Sequence, residues 1–298
     1  MSRRRPLPAV LLHAPFSTAE ALDLHVDEHR LRAGDLAHPF HGVVTARIGD
    51  GSLRSRCDDY APRLLAGQLF SHTTATQLHG APAPRRVASQ LHVSVAFPRT
   101  PPRTSGVLGH ALRHPDPRMR DGLPVSAAAA AWCEAAAILG REELVAVGDA
   151  LVTGRRRNGI RGTGSTDVTA RAAAVEQRRG ARGMQGARWA LERIRSGVDS
   201  PRETELRLLL LRQGLPEPDV DVPIAVDGRV LHADLAYPRA GIVLEYEGDV
   251  HRVDRRQWMR DIRRRELFED TGHRVIRVVA SDLRAPATLV ARLRRYLD

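Results

Sequence analysis

The chain has 298 residues, 42% of them hydrophobic and 27% charged, enough to bury the cores of two or three soluble domains. No apolar run reaches the roughly 18 residues of a membrane-spanning helix. The basic start MSRRRPLPAVLLHA is broken by two prolines and a histidine, so export is not expected. Cys57 and Cys133 are too few for a disulfide framework or a structural zinc site, which makes the cytoplasm the expected compartment.

The net charge is +11, and all 46 basic residues are Arg, so no chemical step can use a lysine. Residues 199–298 carry 18 Arg and 18 acids, whereas residues 1–198 carry 28 Arg against 17 acids. Gly154 to Arg195 alone holds 11 Arg and 3 acids. A basic stretch of this kind favours a nucleic-acid partner, although a solvated Arg-rich linker has the same composition.

In chain order, a short helix is expected from an N-cap at Ser17 and a second from Asp27 to about Gly34, followed by a strand in HPFHGVVTARI. Residues 58–80 read as helical, with Asp58 and Ser71 as caps. Leu91–Phe97, VLGHALR and GLPVS read as strands, and Ser126–Thr153 as an Ala-rich pair of helices broken at Gly140. TGRRRNGIRGTGST reads as a linker or mobile loop. It lacks the lysine of a phosphate-binding P-loop, so no nucleotide cofactor is expected. A helical pattern resumes from Asp167 to Arg195. The last hundred residues give a helix from Ser200 to Gln213, strands at Val220–Val226, Val230–Tyr237 and Ile242–Glu247, and a helix over Asp254–Thr271. A strand at Val275–Ala280 and a helix at Pro286–Leu297 close the chain.

The expected class is therefore α/β (α+β overall), ending in a three-stranded meander, a crossover and a fourth strand. Four regions follow: a winged-helix-like part at 1–50, a small α/β part at 51–153, a basic linker and helix at 154–198, and the domain at 199–298.

Carboxylates gather in that last domain. Asp234 lies on its second strand, and Glu245 and Glu247 sit two apart on one face of its third. Acids in an otherwise apolar strand are costly to bury unless paired or metal-bound. A hard cation such as Mg²⁺ would relieve their repulsion, while an acidic strand end facing solvent is the plainer alternative. His251 follows the acidic strand. Asp261 is placed for an ion pair one turn along its helix, worth only about 0.2–0.5 kcal/mol. Seven Arg between Arg252 and Arg265 form either a solvated face or a phosphate track, in which Arg252, Arg255, Arg256, Arg260 and Arg263 would serve.

From SPRETELR through LPEPDVDVPI, HADLAYP, VLEYEGDVH, DIRRREL and TGHRVIRV, residues 200–297 resemble the very-short-patch-repair-like (Vsr-like) endonuclease domain of the PD-(D/E)XK fold. The resemblance implies Mg²⁺ or Mn²⁺ on Asp234 and Glu245, with Glu203 of the first helix in support. Glu203 equally completes a capping pattern with Ser200 and Pro201. Where the fold usually has a catalytic Lys, this chain has Glu247, so His251 becomes the candidate to deprotonate water. Asp261 and Arg264 match a helical D-x-x-R and would close the site. More loosely, HGVVTA, SHTTATQLHG and GLPVSAAAAAWCEAA resemble AbiEi-type antitoxins, which join a winged helix to an α/β domain and bind promoter DNA.

The expected function is a metal-dependent DNA endonuclease held to its substrate by a basic N-terminal region, Arg155, Arg156 and Arg157 included. The alternatives are a non-catalytic DNA-binding regulator or antitoxin with a degenerate nuclease fold, and an RNA-processing nuclease.

Overall fold

The computed structural model describes residues 5–157, 160–226, 228–247 and 255–297, with the backbone alone for 155–157, 160 and 255–261. The chain divides into two compact units, one formed by residues 1–139 and 169–185, the other by 140–168 and 186–298.

The first unit begins with the two expected short helices. Thr18–Asp23 is capped by Ser17, whose hydroxyl accepts from Glu20 N–H, and Glu28–Leu31 is capped by Asp27. Of the strand expected in HPFHGVVTARI, only Val43–Val44 forms, paired with Phe16–Ser17.

A five-stranded sheet follows, built from β1 (Gln68–Phe70), β2 (Leu91–Ala96), β3 (Val107–Leu112), β4 (Pro117–Arg120) and β5 (Leu123–Ser126), in the order β3-β2-β1-β5-β4. Its central strand corrects the helical reading of residues 58–80. The helix there is Leu53–Tyr60, capped by Ser52 rather than Asp58, and the chain then turns at Gly67 (φ +83°) into β1. Gln68, Leu69 and Phe70 are all buried, so they show neither helical periodicity nor strand alternation. Helix α1 (His72–Leu78) leaves β1, and α2 (Ala128–Ala135) is the buried Ala-rich helix expected from the sequence. The helical stretch expected over Asp167–Arg195 is two helices, Val168–Gln177 and Met184–Leu191, with Gly180 and Gly183 between them at positive φ.

The second unit starts with α3 (Arg141–Val152). The supposed linker after it is a paired hairpin of β6 (Thr153–Arg157) and β7 (Ile160–Thr163). Gly154 is there for a steric reason. A Cβ on Gly154 would lie 1.7 Å from Gly162 O, so the two strands approach this closely only with glycine there.

Helix α4 (Pro201–Arg212) precedes the sheet of β8 (Asp219–Val226), β9 (Arg229–Tyr237), β10 (Ile242–Tyr246) and β11 (Arg274–Val278). The order is β8-β9-β10-β11, antiparallel in the meander and parallel at the last pair, as the crossover requires. Helix α5 (Arg255–Asp270) makes the crossover and α6 (Ala287–Leu297) closes the unit. Leu206 and Leu210 of α4 and Leu293 of α6 share one core with Leu235, Leu244 and Ile276. Phe268 of α5 packs with Ala233 and Val243 in a second core. Among the described residues, no helix is long and apolar enough to cross a membrane.

Buried polar bonds tie α3 to α4. Asp149 Oδ2 accepts from Arg207 at 3.0 Å and from the Thr204 hydroxyl at 2.8 Å, and Asp149 Oδ1 accepts from Arg195 N–H at 2.7 Å. Arg207 is fully buried and also reaches Glu217 at 2.8 Å.

Candidate active site

The second unit's sheet lines up its carboxylates. The register runs Leu235↔Leu244 across β9 and β10 and Val222↔Ala233 across β8 and β9. One step along each ladder sets Glu245 against Asp234 and Asp234 against Asp221, while Glu245 pairs directly with Arg277 on β11. Four neighbouring strands thus carry Asp221, Asp234, Glu245 and Arg277 in one row. Like charges opposite one another destabilise a sheet. Such a row persists only where something else stabilises it.

Part of the answer is Arg264 on α5. Glu245 alternates with the core-facing Leu244, so its side chain turns to the sheet face where Arg264 and Phe268 of α5 lie. The guanidinium takes the Glu245 carboxylate by both oxygens, Nε to Oε2 at 2.8 Å and Nη2 to Oε1 at 3.1 Å. The same Nη2 stands 3.7 Å from Asp234 Oδ1 and also donates to His232 O. One cationic nitrogen therefore answers both carboxylates. Asp234 Oδ2 accepts from Tyr246 N–H at 3.4 Å.

Glu203 arrives from the start of α4. Ser200 caps that helix through Glu203 N–H at 3.2 Å, and Pro201 occupies its first turn. The Glu203 carboxylate accepts from Asp199 N–H at 2.9 Å, one residue before the cap, and is only 6% exposed. Ser200 thus caps the helix, but Glu203 bonds the N–H before the cap rather than that of Ser200, so the expected capping box is only half formed while Glu203 lines the cleft.

These groups line a cleft of about 600 Å³ together with Asp221, His232, Glu247, Arg265 and Arg277. Burial pushes the Asp234 carboxyl well above its ordinary value, and the charges of Glu245 and Glu203 push it further, against the pull of Arg264. Burial also raises Glu203 to about 7, opposed chiefly by the Asp199 N–H. Desolvated carboxylates that perturb one another in a cleft make it a candidate functional site.

The expected residues fall unevenly. Asp234, Glu245, Glu203, Glu247 and Arg264 converge on the one cleft. Glu247 is held by Arg265, whose Nη2 lies 3.4 Å from Oε1, and by Arg277 at Oε2. It does not act as a free counterpart of the missing lysine. His251 and Arg252 lie outside the described residues. Arg255, Arg256, Arg260 and Asp261 lie on α5, and Arg155, Arg156 and Arg157 on β6, but their side chains are not described. Arg263 is exposed on α5.

Three contributors were not expected from the sequence. His232 precedes Asp234 by two on β9, and its Nδ1 sits 2.9 Å from Asp221 Oδ1. Asp221 holds a left-handed backbone (φ +52°), a strained conformation that clusters at functional sites. Arg161 of the β6–β7 hairpin binds Asp199 at 2.7 Å and lies 3.1 Å from Asp221. The H-x-D spacing in HADLAYP, which puts His232 and Asp234 on one strand face, is the signal that could have found His232. Nothing local pointed to Arg161, because long-range pairing alone brings it there.

No known protein family matches this chain, and no solved structure matches it. The uncharacterized proteins Rv2248 and MT2308 of Mycobacterium tuberculosis are each 32% identical to it over 127 residues, which is 42% of this chain and 47% of theirs. The match thus spans about half the length of these curated relatives.

Proposed function

We propose that the second unit is a metal-dependent nuclease that hydrolyses phosphodiester bonds of DNA, acting in the cytoplasm. What carries the reading is the row Asp221, Asp234, Glu245 and Arg277, closed by a single guanidinium that answers two carboxylates. Raised carboxyls around a site that already attracts one cation are what a divalent cation relieves, so the donor set fits Mg²⁺ or Mn²⁺ on Asp234 and Glu245. Such an ion supplies a polarised phosphoryl oxygen and a more acidic water.

The remaining roles belong to the chain. His232, whose Nδ1 stands 2.9 Å from Asp221 Oδ1, lines the cleft and can take a proton from water there, the role expected of His251. Arg265 and Arg277 flank the cleft and can pair with phosphate oxygens once they release Glu247. Glu203, raised to about 7, exchanges its proton near neutral pH and so can serve a leaving oxygen. Arg264 must yield Glu245 before a cation binds, so it acts as an internal counter-ion. The basic residues before 199, among them Arg155, Arg156 and Arg157, are assigned to the phosphate backbone.

One observation favours a second reading, a DNA-binding regulator without catalysis. The chain has no lysine, and both Glu245 and Glu247 are occupied by Arg. Purified protein given plasmid DNA or a matched RNA with Mg²⁺ or Mn²⁺ separates the cases. Nicking of DNA that EDTA stops supports the nuclease, cutting of RNA alone reassigns the substrate, and tight binding without cutting supports the regulator.

A further inference from the structure

Far from the carboxylates in sequence, the first unit assembles a different donor set. His72 opens α1, His92 lies on β2 and His110 on β3, and one ring nitrogen from each comes within 4.8 Å of the other two. Among the described residues no other three His, Cys, Asp or Glu side chains do so. His92 Nδ1 and His110 Nε2 are 2.9 Å apart, and the His72 and His110 rings stack at 3.8 Å. We propose that His72, His92 and His110 form a binding site for one divalent transition-metal ion, Zn²⁺ first, with a coordination position left for water or an exogenous ligand.

Three features beyond proximity support it. First, His72 is held at φ +50°, where a non-glycine residue is strained by about 1–2 kcal/mol, and its N–H donates to the buried Glu134 carboxylate at 3.0 Å. A strand-to-helix junction that needed only a turn would not require this residue in this conformation. Second, a built outer shell surrounds it. His72 Nδ1 lies 2.9 Å from Ser71 Oγ, which accepts from the Ser94 hydroxyl at 2.6 Å, and the tautomer donating Nδ1–H leaves Nε2 bare for a ligand bond. Third, His92 is 1% exposed and its Nε2 has no hydrogen-bond partner among the described residues, while its Nδ1 meets His110 Nε2. An ion takes one of these two His92 nitrogens, Nε2 as the ring stands or Nδ1 once His110 turns away.

Ligand chemistry selects the ion. Three imidazoles suit Zn²⁺, Cu²⁺, Ni²⁺ or Co²⁺, whereas Mg²⁺ demands oxygen, so this site and the carboxylate site take different metals. Three protein ligands with an open fourth position is the arrangement of reactive rather than structural zinc. His72 and Glu134 also line a cleft of about 540 Å³ edged by Arg113, Arg178 and Arg182, which gives a ligand of that ion a way in. An ion lies near the plane of each ring that binds it, while these rings stand within 25° of parallel. Loading therefore turns a ring, and His110 is the least buried of the three.

The test uses the full chain, stripped with EDTA, and Co²⁺ as a visible reporter. One equivalent of Co²⁺ should give the intense absorption bands of a tetrahedral nitrogen-rich site, unchanged when Asp234→Asn removes the carboxylate site and bleached by Zn²⁺. His110→Gln should weaken Zn²⁺ binding by roughly 100-fold or more, beyond what losing an outer-shell partner costs. Because His92→Ala can simply unfold, the wild-type spectrum is decisive by itself. Absent bands, bands that vanish with Asp234→Asn, or equal Zn²⁺ affinity in folded His110→Gln would overturn the site.

Discussion

Crowded carboxylates oppose folding once ionised, and Glu203→Gln should expose by how much. Glu203 has an ordinary value of 4.5 and is raised to about 7 in the fold. The folded state therefore holds a proton that the unfolded state has already lost. With more protons bound in the folded state, stability falls as pH rises, from 4.5 through about 7, and is flat below and above that window. At about 1.4 kcal/mol per tenfold, ionising Glu203 in place costs roughly 3 kcal/mol, an upper bound because neighbouring protons redistribute. Gln keeps an oxygen for the Asp199 N–H and carries no charge. The variant should match wild type at pH 4 and exceed it by about 1–3 kcal/mol at pH 8.5, measured by urea denaturation in EDTA. An equal loss at both pH values would show that Glu203 is only a cap, and the reasoning on crowded carboxylates would fail.

Four further outcomes follow from the same geometry. Asp234→Asn should abolish Mg²⁺-dependent cleavage and leave the melting temperature in EDTA unchanged or higher, by calorimetry beside a nicking assay. Arg264→Ala leaves Glu245 and Asp234 unanswered and should destabilise the metal-free protein by about 1–3 kcal/mol, most of it recovered in millimolar Mg²⁺. Asp149→Ala leaves the fully buried Arg207 with Glu217 and removes the acceptor of Thr204 and of the Arg195 N–H, and should cost about 1–3 kcal/mol in a denaturation curve. Replacing Arg155, Arg156 and Arg157 together by Gln should flatten the salt dependence of duplex binding by about 0.9 for each phosphate no longer neutralised. An unchanged slope would make that hairpin's basicity irrelevant to DNA.

The C-terminal sheet was legible because each strand is bounded by local punctuation. Gly214 ends α4, Gly272 ends α5, and the apolar runs between are of strand length. The pairing of Asp234 with Glu245 followed from a short meander, where sequence neighbours are strand neighbours. Residues 68–70 and 153–163 were misread for opposite reasons. The first is a buried central strand too short to show a period, and the second is a hairpin whose glycines allow close backbone approach. The partners of the acids were the least legible. Arg161 and Asp221 are 60 residues apart, and only the folded chain brings them to 3.1 Å of each other, with His232 beside Asp221. The histidine cluster was missed altogether, because His72, His92 and His110 carry no ligand spacing and meet only through the order β3-β2-β1.

If Asp234 and Glu245 hold a catalytic cation, nicking of DNA depends on both carboxylates and on the ion. Supercoiled plasmid is incubated with wild type, Asp234→Asn and Glu245→Gln in Mg²⁺ and in Mn²⁺, each with and without EDTA. The account predicts nicking by wild type alone, lost in EDTA, with both variants folded and still bound to DNA. Undiminished nicking by either variant, or nicking that survives EDTA, would contradict it.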